Sequence, residues 1–284
     1  MVGLGRMGSG MTERLDRAGH QVQTYDPNVP STASSLAELG AQLDPPRHVW
    51  LMIPAGVITE NAFRELLSVL ESGDAIVDGG NSNFRDSQRR AADAAERKIF
   101  FLDVGVSGGI WGLKEGFALM AGGDPEPVGR LQPIFEALAP AGGFAHVGPS
   151  GAGHFVKMVH NGVEYGLMQA YAEGFELMKA SEFGLDLAAI SELWRHGSVV
   201  RSWLLDLLAR ALAEDPGLEG IRGYVDDSGE GRWAVQEAVE TAVPLHVITA
   251  ALYARYASRQ DESFAAKVNA ALRNQFGGHA IRQD

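Results

Sequence analysis

The first half of the 284-residue chain alternates short apolar, β-branched runs with helical patterns, and within "GGFAHVGPSGAG" (142–153) that alternation stops. The runs "HQVQTYD" (20–26), "HVWLMIP" (48–54), "DAIVDGG" (74–80), "KIFFLDVGV" (98–106) and "GFALMAGG" (116–123) predict strands, with helices over 59–70 and 87–97. Strands apolar along most of their length are buried on both faces, which is what a mainly parallel sheet covered by helices requires. After residue 153 the strand pattern is gone. Helical patterns follow at 152–180, 186–194, 199–214, 233–241, 244–258 and 263–276, punctuated by Gly, Pro and Asp.

Composition removes several kinds of chemistry. With no cysteine the chain has no disulfide, no thiolate nucleophile and no Cys-based zinc site, so packing must hold it together. Hydrophobic residues at 45% and a mean hydropathy of -0.06 suit a globular protein with a sizeable core. No apolar run nears the ~20 residues that cross a bilayer. The start lacks the charged-then-apolar order of a secretory signal, so a cytoplasmic place is expected. A net charge of -12 disfavours nucleic acid and acidic membranes, and an anionic substrate would need a few placed cations.

The opening "MVGLGRMGSGM" places Gly3, Gly5 and Gly8 as G-x-G-x-x-G, a spacing that lets backbone N–H groups approach a pyrophosphate at a helix N-terminus. Among 35 glycines such a spacing arises by chance, so context decides. A helical pattern follows over 10–18, and then a strand that ends at Asp26. An acid there accepts hydrogen bonds from ribose hydroxyls and repels a 2′-phosphate, which favours NAD over NADP. The competing reading makes Asp26 a turn former before Pro27. The fold expected is an α/β, Rossmann-like, doubly wound sheet over 1–148 that binds NAD. An all-helical domain for substrate binding and oligomerisation is expected over 149–284.

In "GAGHFVKMVHNGVEYGLMQAYAEGFEL" (151–177), Lys157, His160, Asn161, Glu164 and Tyr165 stand at i, i+3, i+4, i+7 and i+8, on one helix face. A solvated stripe with a Lys–Glu pair is the plain reading. Against it, Phe155, Met158, Val159, Val163, Leu167 and Met168 wrap most of the remaining circumference, so the helix is expected to be buried with its polar stripe lining a cavity. A buried amine favours its uncharged form, which a general base needs, and a carboxyl two turns away could serve as an acid. His160 and Glu164 are four apart, but no third ligand stands at motif spacing, and no metal site is expected. "GVSGG" does not match the G-x-S-x-G nucleophile elbow.

The combination of "GLGRMGSGM", "DGGNSNFRDS" (78–87), "GVSGGIWG" (105–112), "KMVHNGVEYG" (157–166), "GEGRW" (229–233) and "FGGHAI" (276–281) resembles the 6-phosphogluconate dehydrogenase family, in its shorter form with one helical unit. That resemblance implies oxidation of 6-phosphogluconate at C3, loss of the carboxylate as CO2, release of ribulose 5-phosphate and no need for a metal. It implies Lys157 as general base and Glu164 as the acid that protonates the enediol. Gly3, Gly5, Arg6, Met7, Gly8 and Asp26, with Ile53, Pro54, Ala55 and Asn81, are carried over as cofactor-binding positions. Asn81 also faces substrate, Ser107, Gly108 and Gly109 hold its carboxylate end, and His160 and Asn161 hold its hydroxyls. Tyr165 and Arg255 match phosphate contacts, and Arg273 and His279 match a tail that reaches a neighbouring subunit of a homodimer or homotetramer.

Plainer readings stand beside these. Arg255 and Arg273 could be surface cations, and the glycines of "FGGH" could simply end a helix. Ser228 stands where longer members carry a phosphate-binding lysine, with Arg232 as a candidate substitute. Only Met1 to Leu4 can form the first strand, where such a strand has about five residues, so the natural chain is expected to begin a few residues upstream. Two rivals remain: a β-hydroxyacid dehydrogenase acting on a small non-phosphorylated acid, and a cofactor-binding protein without catalysis.

Overall fold

A computed structural model describes residues 1–282. It divides into two compact units, Met1–Asn161 and Gly162 onward. In the first unit the order is α1 (Arg6–Arg17), α2 (Leu36–Ala41), β1 (His48–Leu51), α3 (Val57–Val69), β2 (Ala75–Asp78), α4 (Phe84–Ala95) and β3 (Phe100–Ser107). Then come α5 (Gly112–Glu115), β4 (Ala118–Gly122), α6 (Pro125–Arg130), α7 (Gln132–Leu138) and β5 (Phe144–Gly148). β1 to β5 lie side by side in that order, and only the β3–β4 pair is antiparallel.

Side chains of this sheet leave it alternately to two cores. Val49, Leu51, Ile76 and Phe101 join Phe63, Leu66 and Leu39 on one side. Trp50, Val77, Leu102 and Val104 join Met11, Leu15, Phe135 and Leu138 in the other cluster. Successive strand residues point to opposite faces, so a sheet apolar at every position must be covered twice. The doubly wound expectation is met.

The first strand is reduced to Val2, which bridges Tyr25 on one side and Leu51 on the other. Val2 donates to the Trp50 carbonyl (2.8 Å) and accepts from Met52 N–H (2.7 Å), while Gly3 N–H and the Met1 carbonyl pair with Tyr25 (both 2.9 Å). The chain thus leaves Val2 toward one side and returns on the other, the switch point at which α/β sheets bind ligands. The strand expected at 20–26 is a correction. Only Tyr25 bridges, because its partner offers Met1 to Gly3 alone, and its far edge is closed by Thr24 and Thr32 exchanging backbone and side-chain bonds. β5 was not among the expected strands, its run "FAHVG" being short, interrupted by His146 and without a buried residue.

α8 (Ala152–Lys179) starts in the first unit and continues into the second. Its start is clamped to the sheet, since a Cβ at Gly153 would collide with the Asp103 carbonyl and lie 2.5 Å from the Met120 carbonyl. The second unit carries α9 (Leu187–Trp194), α10 (Trp203–Glu214), α11 (Glu230–Glu240), α12 (His246–Ala257) and α13 (Phe264–Gly277), with no strand among the described residues. No described helix is long and apolar enough to cross a membrane. Gly153→Ala should lower stability by about 1–3 kcal/mol, because two carbonyls must give way to one methyl. A urea unfolding series against the parent checks this.

Candidate functional site

At the N-terminal fingerprint each glycine has a separate physical reason. Gly3 sits at φ +89°, a conformation that L side chains rarely adopt, and a Cβ on Gly8 would collide with the Gly3 carbonyl. A Cβ on Gly5 would meet nothing within 4 Å, so space lies open at the start of α1. Arg6 and Met7 form the first turn of α1, which has no acid and whose N-cap Gly5 makes no side-chain bond, whereas α2, α4 and α6 each have both. An uncompensated helix N-terminus with room above it suits a pyrophosphate. The helix starts at Arg6 rather than near residue 10, as the motif needs.

Asp26 accepts from Leu4 N–H (2.7 Å) and from Asn28 N–H (2.8 Å), which makes it both the turn former and the clasp of the fingerprint loop. The Leu4 bond holds its carboxyl below the usual range, so it stays anionic. Ile53, Pro54 and Ala55 follow β1, with Pro54 and Ala55 exposed, and the Thr59 hydroxyl donates to the Pro54 carbonyl (2.8 Å). Asn81 is exposed in the turn after β2.

The start of α8 is set by Asp103, a fully buried acid inside β3. Its two oxygens accept Gly151 N–H (2.6 Å) and His154 N–H (2.7 Å). One turn on, Lys157 is buried, and its stem crosses β3 so closely that a Cβ at Gly105 would lie 3.1 Å from Lys157 Cγ. Ser107 ends β3, and Gly108 and Gly109 turn away from it. The Ser107 hydroxyl lies 3.2 Å from His160 Nε2, while His160 Nδ1 lies 3.1 Å from Asn161 Oδ1. An amide oxygen only accepts, so Nδ1 donates to Asn161, and in the neutral ring Nε2 then accepts from the Ser107 hydroxyl. Lys157, Ser107, His160 and Asn161 are thus gathered within the first unit.

The orientation of α8 corrects one expectation. Lys157, Asn161 and Tyr165 are buried and His160 and Glu164 half-buried, but of the six flanking apolar residues only Met158 is buried. Phe155, Val159, Val163, Leu167 and Met168 stay exposed, so the polar stripe is turned in and the apolar flank out.

In the second unit the Arg255 guanidinium stacks 3.5 Å from the Tyr165 ring centroid and donates to the Asp226 carbonyl (2.9 Å). Tyr165 Oη accepts Ser228 N–H (3.2 Å), and Ser228 Oγ donates to the buried Glu230 (2.5 Å). Arg232 forks onto Asp227 (2.5 and 2.9 Å), which also takes Arg259 (3.3 Å), and the Arg232 guanidinium holds the Asp227 carboxyl below its ordinary range. The fork of Arg232 is therefore engaged within its own chain. Arg273 is exposed on α13, and His279 follows it; Gly278 adopts the left-handed conformation and donates to the Asn274 carbonyl (2.8 Å), so that glycine does end the helix. Among the described residues no three His, Asp or Glu side chains are grouped as metal ligands. Asp78, Arg90, Asp103, Glu230 and Arg259 escaped the sequence reading. The signal for the aspartates was an acid inside an otherwise apolar strand run.

A switch-point glycine loop followed by a lysine-bearing helix defines a dinucleotide-dependent dehydrogenase fold. The profile described as the NAD binding domain of 6-phosphogluconate dehydrogenase matches residues 1–148, and that of the 6-phosphogluconate dehydrogenase C-terminal domain matches 153–282. The chain belongs to the 6-phosphogluconate dehydrogenase family. It is 41% identical to the NAD(+)-dependent, decarboxylating 6-phosphogluconate dehydrogenase of Haloferax volcanii, over 99% of this chain and 97% of that one. It is 36% identical to the decarboxylating enzyme of Lactococcus lactis strain IL1403, over 91% of this chain but 60% of that longer one. The Plasmodium falciparum 6-phosphogluconate dehydrogenase, solved in its apo form and in complex with its cofactor NADP+ and with its substrate 6-phosphogluconate, superposes with a TM-score of 0.83 at 29% identity. That match covers 100% of this chain and 65% of the other.

Asp103→Asn leaves one N–H at the start of α8 facing an amide NH2. It should cost about 1–3 kcal/mol, the loss of a buried acceptor, and chemical denaturation followed by circular dichroism measures it.

Proposed function

We propose that this chain oxidises 6-phosphogluconate at C3 with NAD and releases CO2 and ribulose 5-phosphate. The observation that carries this reading is the inward polar face of α8, where Lys157 and Asn161 are buried, the Lys157 stem lies on Gly105 and His160 meets Ser107 and Asn161. A surface stripe would have turned the other way.

In this reading Gly3, Gly5, Arg6, Met7, Gly8, Asp26, Ile53, Pro54, Ala55 and Asn81 hold the cofactor, and NAD when bound accepts the hydride leaving C3. Lys157 takes the C3 hydroxyl proton. The ketone so formed lies β to the carboxylate, so the bond to CO2 breaks with its electron pair delocalised onto the C3 oxygen, which protonated Lys157 stabilises. Glu164 then donates a proton to the carbon that lost CO2. It stands seven residues from Lys157, about 10 Å along the helix, far enough to serve a different carbon from the base. Ser107, Gly108 and Gly109 bind the carboxylate end, His160 and Asn161 the hydroxyls, and Asn81 lies between cofactor and substrate.

Tyr165 and Arg255 take the phosphate, supported by the guanidinium already stacked on that ring. A small acid without phosphate would have no use for that cation, which is what weighs against the non-phosphorylated rival. Asp26, anionic and at the end of the bridge beside the fingerprint, supports NAD over NADP. The working form is a homodimer or homotetramer in the cytoplasm, with Arg273 and His279 reaching a neighbouring subunit. Phe264, Val268, Leu272 and Phe276 form a stripe along α13, which has no buried residue, and a 14-residue helix is marginal without a partner. The exposed flank of α8 has the same need.

Lys157→Met should abolish NADH and CO2 formation from 6-phosphogluconate while NAD binding, read by calorimetry, changes little. Asp26→Ser should narrow the ratio of kcat/KM for NAD over NADP, measured side by side.

A further inference from the structure

Among the described residues the largest fully buried side chain is a charged one. Arg90, on α4, is 1% exposed, and its guanidinium is held between two carboxylates from two other elements. Its Nε donates to Glu60 on α3 (3.1 Å), and its Nη1 donates to Asp78 at the end of β2 (3.2 Å). A buried ion pair brings little net stability over well-packed apolar groups, because desolvation offsets the attraction. What it fixes is therefore the better guide to its purpose.

On one side it fixes the turn that carries Asn81. Asp78 Oδ1 accepts Gly80 N–H (3.1 Å), and Oδ2 accepts the Ser82 hydroxyl (2.7 Å). The residues on either side of Asn81 are thus tied to the carboxylate that Arg90 grips, and the Asn83 side chain caps α4 (2.9 Å). Asn81 alone in this turn is exposed. On the other side stands Glu60, in the first turn of the helix that follows Ile53, Pro54 and Ala55. Arg64 (2.9 Å) and Arg89 (2.8 Å) also grip Glu60. Its neighbour Thr59 ties back to the Pro54 carbonyl.

We infer that Arg90 is a positioning residue for the reaction: through Asp78 it sets the turn that presents Asn81, and through Glu60 it holds that turn in register with the 53–55 loop. The inference rests on the role given to Asn81 under the proposed function. Misplacing a substrate-facing group by about 1 Å can cost on the order of 100-fold in rate, so a rigid grip on both loops acts on turnover beyond its effect on stability. Arg90 acts through another residue and touches no reacting atom.

The test is a double-mutant cycle on the full-length protein with NAD and 6-phosphogluconate. Arg90→Met should lower kcat by about 10- to 100-fold, with NADH still binding at one per chain by fluorescence titration. On an Asn81→Ala background the same change should lower kcat by less than about threefold, because the group it positions is gone. Arg90→Lys, which keeps the charge but lacks the fork that spans both carboxylates, should recover the thermal midpoint more than kcat. Where Arg90→Met does not fold, Glu60→Gln at the half-exposed end of the relay takes its place with the same expected non-additivity. Multiplying effects in the cycle, or a kcat that tracks only the fraction of folded protein, would overturn the inference alone. An Asn81→Ala chain with unchanged turnover would overturn the role of Asn81 and the inference with it.

Discussion

Everything at the start of α8 depends on one carboxylate. Asp103 is buried inside a strand, where an unpaired charge would be costly, and it is stabilised by two backbone N–H groups that an α-helix leaves without partners at its N-terminus. The helix cannot begin a residue earlier or later without losing one of these bonds. Gly153 and Gly105 let it lie directly on the sheet, and the placement of the Lys157 stem on β3 and of His160 against Ser107 follows from those two constraints.

The same device recurs in the first unit. Asp26 binds the N–H of Leu4 in the fingerprint loop, and Asp78 binds the N–H of Gly80 in the turn of Asn81. In each case an acid near a strand end takes up a donor from a segment with no regular partner, so a loop that must approach a ligand is held without extra secondary structure. Asp78 differs in having a guanidinium behind it. That extra charge suits a turn whose exposed residue, Asn81, is proposed to face both cofactor and substrate.

In the second unit, the proposed phosphate contacts Tyr165 and Arg255 lie beside Ser228 and Asp226. Ser228 hydrogen-bonds to the Tyr165 hydroxyl and to Glu230, so it shapes the position of the ring. Arg232 is a weaker candidate for the phosphate than Arg255, because Asp227 holds its fork. Arg255 is the cation already laid against the tyrosine, and it carries the recognition of the phosphate in the proposed reaction.

The sequence by itself determined the two-part architecture, the fingerprint and the polar face of α8 that is turned inward. Each of these is a local pattern: apolar runs of strand length, glycines at fixed spacing, and polar groups three and four residues apart. It misjudged segment 20–26, because a strand exists only where a partner supplies consecutive backbone groups. It also judged the apolar flank of α8 as buried, since composition around a helix does not say which side meets the rest of the chain. Only the tertiary structure decided what Asp78, Arg90 and Asp103 do, because Arg90 reaches Asp78 from 12 residues away and Asp103 takes backbone donors from 48 and 51 residues away, pairings that no local pattern of side chains records.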